Sequence, residues 1–335
     1  MIAVDSRHLS SHSVKNPMNF WKNLPKPFFV LAPLANVTDA AFRRMIAKYS
    51  KTAGPHVFYT EFVSADGLMK GNREVLMKDL IFSEAERPIV AQFFTGSPEM
   101  MERAAALAAE LGFDGVDINM GCPDRSIEKA GGGAALIKTP KLAQELIAAA
   151  KRGAPNLPVS LKTRLGYNKD ILEEWLPALL SAEPVAVAIH ARTRKEMSKV
   201  PARWERVKKA VEIRDAMKSK TLIIGNGDLK DLNDAKEKIK ESGADGAMLG
   251  RAIFGRPWLF SNSYEYENTA SRLQIMVEHT KLFEELLGNV KNFAIMKKHF
   301  KAYCEGFPGA KELRIKLMET ENAVQVEDIV KKFFS

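Results

Sequence analysis

The chain has 335 residues, 46% of them hydrophobic and 27% charged, a globular composition long enough for a barrel-sized domain and a smaller second one. Its 50 Lys and Arg against 41 Asp and Glu give a net charge of +9, which points to a polyanionic partner, although a solvated basic surface explains the excess as well. No apolar run approaches the ~20 residues of a membrane helix, and two cysteines, Cys122 and Cys304, cannot build a disulfide framework, so the chain reads as cytoplasmic and free of membrane.

Residues 1–17 are polar, with Arg7, His8, His12 and Lys15 and no apolar h-region. They read as a disordered extension rather than a secretory signal, with the ordered body expected from Met18. Apolar, β-branched runs follow at 28–32, 57–60, 89–93, 115–118, 159–162, 185–190, 221–224 and 246–249. Helical patterns alternate with them at 38–49, 98–111, 140–151, 171–180, 203–217 and 232–242. Thr38 is expected to cap the first of these helices, with Asp39 in its first turn. Eight strands with helices between them fit a closed (β/α)8 barrel, a TIM barrel over 18–260, better than an open sheet.

The strand ends support the barrel. They carry Pro33, Glu61, Gln92, Asn119, Lys162 with Arg164, His190 with Arg192, Asn226 with Asp228, and Gly250 with Arg251. In a (β/α)8 barrel these ends converge on the face that holds the active site. One such residue alone is more often a loop residue than a ligand; eight together exceed what loop composition explains. After Phe260 the strand pattern stops. A polar connector at 261–269 leads to helical segments at 271–287, 294–305, 311–320 and 326–334, which read as a small all-helical domain over 261–335. Its stretch from Lys291 to Lys316 holds Lys291, Lys297, Lys298, Lys301, Lys311, Arg314 and Lys316 against Glu305 and Glu312, either a phosphate-binding face or a solvated helix face.

The residues that carry chemistry sit at those strand ends. Asn119-Met120-Gly121-Cys122-Pro123 follows an apolar strand and precedes Gly131-Gly132-Gly133. A free thiol with a reference pKa of ~8.5 is protonated at neutral pH and can donate a proton. The competing reading of Cys122 is a small buried apolar residue. No second cysteine stands at metal-ligand spacing, and no metal site is expected. Lys162 ends a strand, where a fixed cation can stabilise an anionic cofactor ring such as a reduced flavin. Gln92 and His190 can supply hydrogen bonds to such a ring, although a lone histidine is usually a satisfied core residue. Gly225-Asn226-Gly227-Asp228 and Gly250-Arg251 either bind a phosphate through backbone N–H groups or are ordinary turns.

At this point the chain resembles the tRNA-dihydrouridine synthase family. The resemblance rests on Ala32-Pro33-Leu34-Ala35-Asn36-Val37-Thr38-Asp39 with Phe42-Arg43, on Ala91-Gln92, and on the Cys122 motif with its glycine cluster. It continues through Lys162-Thr163-Arg164-Leu165-Gly166, His190-Ala191-Arg192-Thr193, Asn226-Gly227-Asp228, and Gly250-Arg251 with Pro257-Trp258. In the tail it includes Lys298-His299-Phe300 and Gly306-Phe307-Pro308-Gly309-Ala310. Leu34 and Asn36 stand where the family usually has methionine and glycine, and Asn36 tolerates left-handed backbone better than most residues.

The resemblance implies an FMN- and NADPH-dependent reduction of the C5–C6 bond of particular uridines in tRNA; nothing in the sequence requires more than a monomer. Pro33, Leu34 and Ala35 would line the flavin; Gln92 and Lys162 would bind its ring edge; His190 would contact it. Asn226, Gly227, Asp228, Gly250 and Arg251 would surround the ribityl phosphate. Hydride would pass from the reduced flavin to C6, and Cys122 would protonate C5. Asn119, Arg164, Arg192 and Arg194 are candidates for nucleotide contact, and Lys297, Lys298, Lys301 and Arg314 for gripping the tRNA. Two rivals remain: a small-molecule flavin dehydrogenase of the dihydroorotate or dihydropyrimidine type, and a non-catalytic RNA-binding barrel.

Overall fold

The structure, a computed structural model, describes residues 19–335 except 51–53, 72 and 262–264; the expected extension at 1–17 and its boundary at Met18 lie outside the described residues. Strands β1 (Phe28–Leu31), β2 (Phe58–Tyr59), β3 (Val63–Ser64), β4 (Ile89–Phe94), β5 (Gly115–Met120), β6 (Val159–Arg164), β7 (Ala186–His190), β8 (Leu222–Asn226) and β9 (Gly246–Leu249) form one parallel sheet. Its order is β1-β9-β8-β7-β6-β5-β4-β2, with β3 also on β4. The two ends of that order meet: Leu31 N–H donates to Val57 O at 3.1 Å and His56 N–H to Phe29 O at 2.8 Å, so the sheet closes on itself.

Between the strands run α1 (Ala40–Ser50), α2 (Ala65–Lys70), α3 (Arg73–Met77), α4 (Pro98–Glu110), α5 (Arg125–Lys129), α6 (Pro140–Gly153), α7 (Leu172–Leu180), α8 (Trp204–Ala216) and α9 (Leu232–Ser242). The tail folds as α10 (Thr269–Leu287), α11 (Met296–Tyr303), α12 (Ala310–Met318) and α13 (Ala323–Phe334). Among the described residues no helix is long and apolar enough to cross a membrane. This is a TIM barrel followed by a helical tail, as the alternation of patterns predicts.

Two shells of core explain the strand sequences. Phe28, Val30 and Ala32 point into the barrel with Tyr59, Val90, Ala188, Ile224 and Met248, while Phe29 and Leu31 pack outward against the helices. Strands buried on both faces need apolar residues at consecutive positions, which is why they read as runs rather than alternations. Trp21, on a 3-10 turn at Phe20–Asn23, packs against Phe28 with ring centroids 5.9 Å apart and fills the barrel's N-terminal end.

Two local expectations change. The run at 57–60 yields β2 and, after Glu61 and Phe62, the separate two-residue β3, followed by the short helices α2 and α3. The first helix is capped by Asp39, whose Oδ1 accepts the Phe42 N–H at 2.9 Å; Thr38 instead closes the preceding loop, its Oγ1 accepting the Leu34 N–H at 2.8 Å. Both residues are good caps, and only the loop geometry decides between them.

Candidate active site

The Cys122 loop is built by β5 and held from two sides. Asn119 Oδ1 accepts the N–H of Gly121 at 3.1 Å and of Cys122 at 2.9 Å, an Asx-type turn that fixes the chain just past the strand. On the other side Ala134 N–H donates to Cys122 O at 2.9 Å. Gly133 lies so close that a Cβ there would stand 2.7 Å from the same carbonyl, at a φ of +58° that disfavours any side chain. The glycine cluster therefore serves the cysteine loop. Burial pushes the Cys122 thiol above its ordinary value, outweighing the Asp124 N–H and the nearby charges of Lys162 and Arg164 that favour the thiolate. At neutral pH Sγ carries its proton.

Cys122 is half-buried and lines a cavity of about 600 Å³ at the carboxyl ends of the strands, a size typical of small-molecule sites. Lys162, two residues before the end of β6, lines it too. Its ammonium has no hydrogen-bond or ion-pair partner among the described residues, and burial lowers it to about 8, with the repulsion of Arg164 adding to the effect. Arg164 anchors two loops at once: Nε donates to Gly121 O at 2.7 Å, and Nη1 to the carbonyls of Thr193 and Met197, each at 3.2 Å. His190 is held far below the ordinary histidine range by burial and then by the charges of Lys162, Arg164, Arg192 and Arg251. Arg192 Nη1 donates to its Nε2 at 3.0 Å, so the neutral ring carries its proton on Nδ1.

The opposite wall comes from the first and last strands. Pro33 and Leu34 line the cavity, and Asn36 adopts the left-handed conformation expected of it, at φ 54°. Asn226, Gly227, Asp228, Gly250 and Arg251 follow. Asp228 lies between Arg192 and Arg251, the latter at 2.6 Å, and accepts the Ala202 N–H at 2.8 Å. Burial opposes its ionisation, but these donors bring its carboxyl below the ordinary value. The two glycines differ in kind. A Cβ on Gly227 would meet Ala202 Cβ at 2.7 Å, so the fold itself requires glycine there. A Cβ on Gly250 would meet only Ala32, at 3.5 Å, so what the missing side chain provides there is room in the cavity.

An unpartnered ammonium, a neutral imidazole and an open glycine beside Arg251 suit an electron-rich ring carrying an anionic tail. A flavin nucleotide meets that description.

Other residues singled out from the sequence fall elsewhere. Gln92 is fully buried beneath the cavity, bonded to Asp117 and Asn119, and Ala35 does not line the cavity. Arg192 faces inward at 2% exposure, with Val200 O, His190 and Asp228 as partners. Arg194 pairs with Glu128 of α5, Nε to Oε1 at 2.9 Å, and so clamps the loop after β7 to the segment that follows Cys122. In the tail, Lys298 and Lys301 are exposed and Lys297 and Arg314 partly so; none makes an ion pair among the described residues. Lys291 does not join them: it is bound to Glu61 at 2.5 Å and Asp79 at 2.7 Å. The cavity also takes Phe62, Ser198, Lys230 and Met248, which the sequence did not single out. Phe62 sits one residue past a flagged strand end and Met248 points inward on β9, so a strand-end search widened by two residues finds both.

A family model described as dihydrouridine synthase (Dus) matches residues 30–335. "Probable tRNA-dihydrouridine synthase" of Staphylococcus aureus (strain COL) is 38% identical over 319 residues, covering 94% of this chain and 95% of that protein. "Probable tRNA-dihydrouridine synthase 2" of Bacillus subtilis (strain 168) is 39% identical over 318 residues, covering 94% and 96%. Among solved structures, histamine dehydrogenase from Rhizobium sp. 4-9 superposes with a TM-score of 0.52 at 11% identity, over 81% of this chain and 51% of that one, a likeness of fold.

Proposed function

The chain belongs to the dihydrouridine synthase family, and on that premise we propose that it is an oxidoreductase reducing uridine in tRNA to dihydrouridine, with FMN as its bound flavin and NADPH as reductant. The observation that carries this reading is one cavity shared by a protonated, half-buried thiol at Cys122 and an ammonium at Lys162 with no partner in the fold.

The bound flavin supplies the two electrons of the reduction. Pro33, Leu34 and His190 would line its site, Lys162 would offer its ammonium to the ring, and the backbone at Gly250 with Arg251 would hold the phosphate. Gln92 supports this site from beneath rather than touching the cavity, and Ala35 lies exposed outside it. A uridine has to leave its stack to enter a cavity inside the barrel mouth. Cys122 Sγ holds a proton for C5 as negative charge develops there, acting as general acid. Arg164 keeps the Cys122 loop against the loop after β7, so the acid is fixed before substrate arrives. Lys297, Lys298, Lys301 and Arg314 give the helical tail cations for tRNA phosphates, which makes binding salt-dependent.

The test is to map dihydrouridine in tRNA from cells with and without the gene. Loss of the modification at defined positions, restored by the gene and not by Cys122→Ala, is the expected result; unchanged dihydrouridine at every position overturns the reading. Mass analysis of the yellow chromophore released from purified protein tests FMN, and a colourless protein that takes up no flavin removes it.

A further inference from the structure

Beneath the Cys122 loop runs a line of buried polar side chains that the proposed chemistry does not touch. Strand register puts Gln92 of β4, Asp117 of β5 and Ser160 of β6 side by side. Asp117 is 1% exposed, and both carboxylate oxygens are engaged: Oδ1 accepts from Ser160 Oγ at 2.5 Å and Oδ2 from Gln92 Nε2 at 2.6 Å. Gln92 Oε1 accepts from Asn119 Nδ2 at 3.0 Å, and Asn119 Oδ1 accepts the N–H groups of Gly121 and Cys122.

The chain has a direction. An amide side chain has one donor end and one acceptor end, and either end can face a given neighbour. An ionised carboxylate only accepts, so Asp117 obliges Gln92 to turn its NH2 inward and its carbonyl toward Asn119. Asn119 then turns its NH2 to Gln92 and its carbonyl to the loop. Reversing Asn119 would set its NH2 group against the N–H groups of Gly121 and Cys122, and reversing Gln92 would set its carbonyl against the Asp117 carboxylate. Serine alone sets no direction, because a hydroxyl both donates and accepts.

We propose that Asp117 is a positioning residue for the acid: by polarising the Gln92–Asn119 pair it fixes the backbone from which Cys122 presents its thiol. The inference rests on the reading of Cys122 as the general acid and adds to it a buried residue joined to the Cys122 backbone by three hydrogen bonds. Burial holds the Asp117 carboxyl up at about 6, against the lowering effect of Ser160, Gln92 and Lys162, so it is ionised at neutral pH as the chain of donors needs.

The experiment measures alkylation of Cys122 by iodoacetamide, followed on its own peptide, beside turnover on tRNA, in flavin-loaded protein. Asp117→Leu should speed alkylation several-fold and lower kcat by about 10²-fold, the usual cost of a reacting group displaced by about 1 Å, with KM for tRNA little changed. Asp117→Asn keeps the shape and one acceptor but not the acceptor-only character, so it should fall between wild type and Asp117→Leu in both readouts. In an Asn119→Ala background Asp117→Leu should add almost nothing, because the link is already cut. Should Asp117→Leu yield no folded protein, Gln92→Met breaks the same chain one bond further on and carries the same expectations. Full additivity with Asn119→Ala, an Asp117→Asn variant as impaired as the leucine variant, or an unchanged alkylation rate overturns the proposal. If the alkylation pattern appears as expected while the wild-type protein makes no dihydrouridine in tRNA, the positioning role stands and the functional reading falls.

Discussion

The cavity at the barrel mouth and the junction with the helical tail handle buried charge in opposite ways. In the cavity Arg192 and Arg251 share Asp228, but Lys162 has no hydrogen-bond or ion-pair partner among the described residues, and burial lowers it to about 8. At the junction, carboxylates exceed the cation. Lys291 reaches from beyond α10 to Glu61 and Asp79, with Asp39 close enough to raise Glu61 further. Burial there pushes the Glu61 carboxyl up to about 7 despite Lys291, and the same Glu61 accepts the Asn36 N–H at 2.5 Å. The junction therefore supports the loop that carries Leu34 into the cavity. A buried charge with partners on every side is part of the scaffold; a buried charge without one awaits a ligand.

The two cysteines give the hardest test of that contrast. Cys122→Ala should lower uridine reduction by about 10²–10⁴-fold, the range for losing a general acid, with the flavin absorbance retained. Cys304 is buried against Met276, Sγ to Sδ at 3.9 Å, and burial pushes its thiol up to about 12. Cys304→Ala should leave turnover unchanged within twofold; a comparable loss of activity would break the division between the two regions.

The two lysines come next. Lys291→Met strands Glu61 and Asp79 and should cost about 3–5 kcal/mol in urea unfolding. Its deficit should grow as pH rises through about 7, where the Glu61 carboxyl ionises with Lys291 present but gains an unmet charge without it. Lys162→Met should do the reverse, stabilising the flavin-free protein by about 1–3 kcal/mol at pH 7 while abolishing flavin retention. The sign follows from the lowered ammonium. Below about pH 8 the folded chain carries a disfavoured charge, and the advantage of methionine should fade as pH climbs from 8 to 10.5. Lysine-to-methionine changes of the same sign at both sites would erase the comparison.

The smallest expected effect is at Arg194. Its pair with Glu128 is partly exposed, at 24% and 11%, so Arg194→Ala should cost about 1 kcal/mol or less of stability. If the clamp matters to the cavity, turnover drops a few-fold with flavin affinity intact; equal turnover assigns the pair to the scaffold.

The individual misreadings share a cause. Thr38 and Asp39 are adjacent and both cap helices well; the choice between them rests on where Leu34 turns. Lys291 reads as one more basic tail residue until Glu61, 230 positions earlier, is seen beside it. Arg194 reads as a nucleotide ligand until Glu128, 66 positions earlier, takes its guanidinium. Asp117 sits inside an apolar run and gives no signal, because its meaning lies in Gln92, 25 positions before it, and Ser160, 43 after.

The sequence by itself determined the barrel, the helical tail and the cluster of chemistry at the strand ends, because periodicity, turn residues and strand termini are local properties of the chain. It also determined that Cys122 stands on a tight loop, since Asn119, Gly121 and Gly133 are neighbours in sequence as in space. Only the tertiary structure decided which cations are already engaged and which are open. Charge pairing and the direction of hydrogen bonds depend on partners brought together across strands, and no local pattern records them.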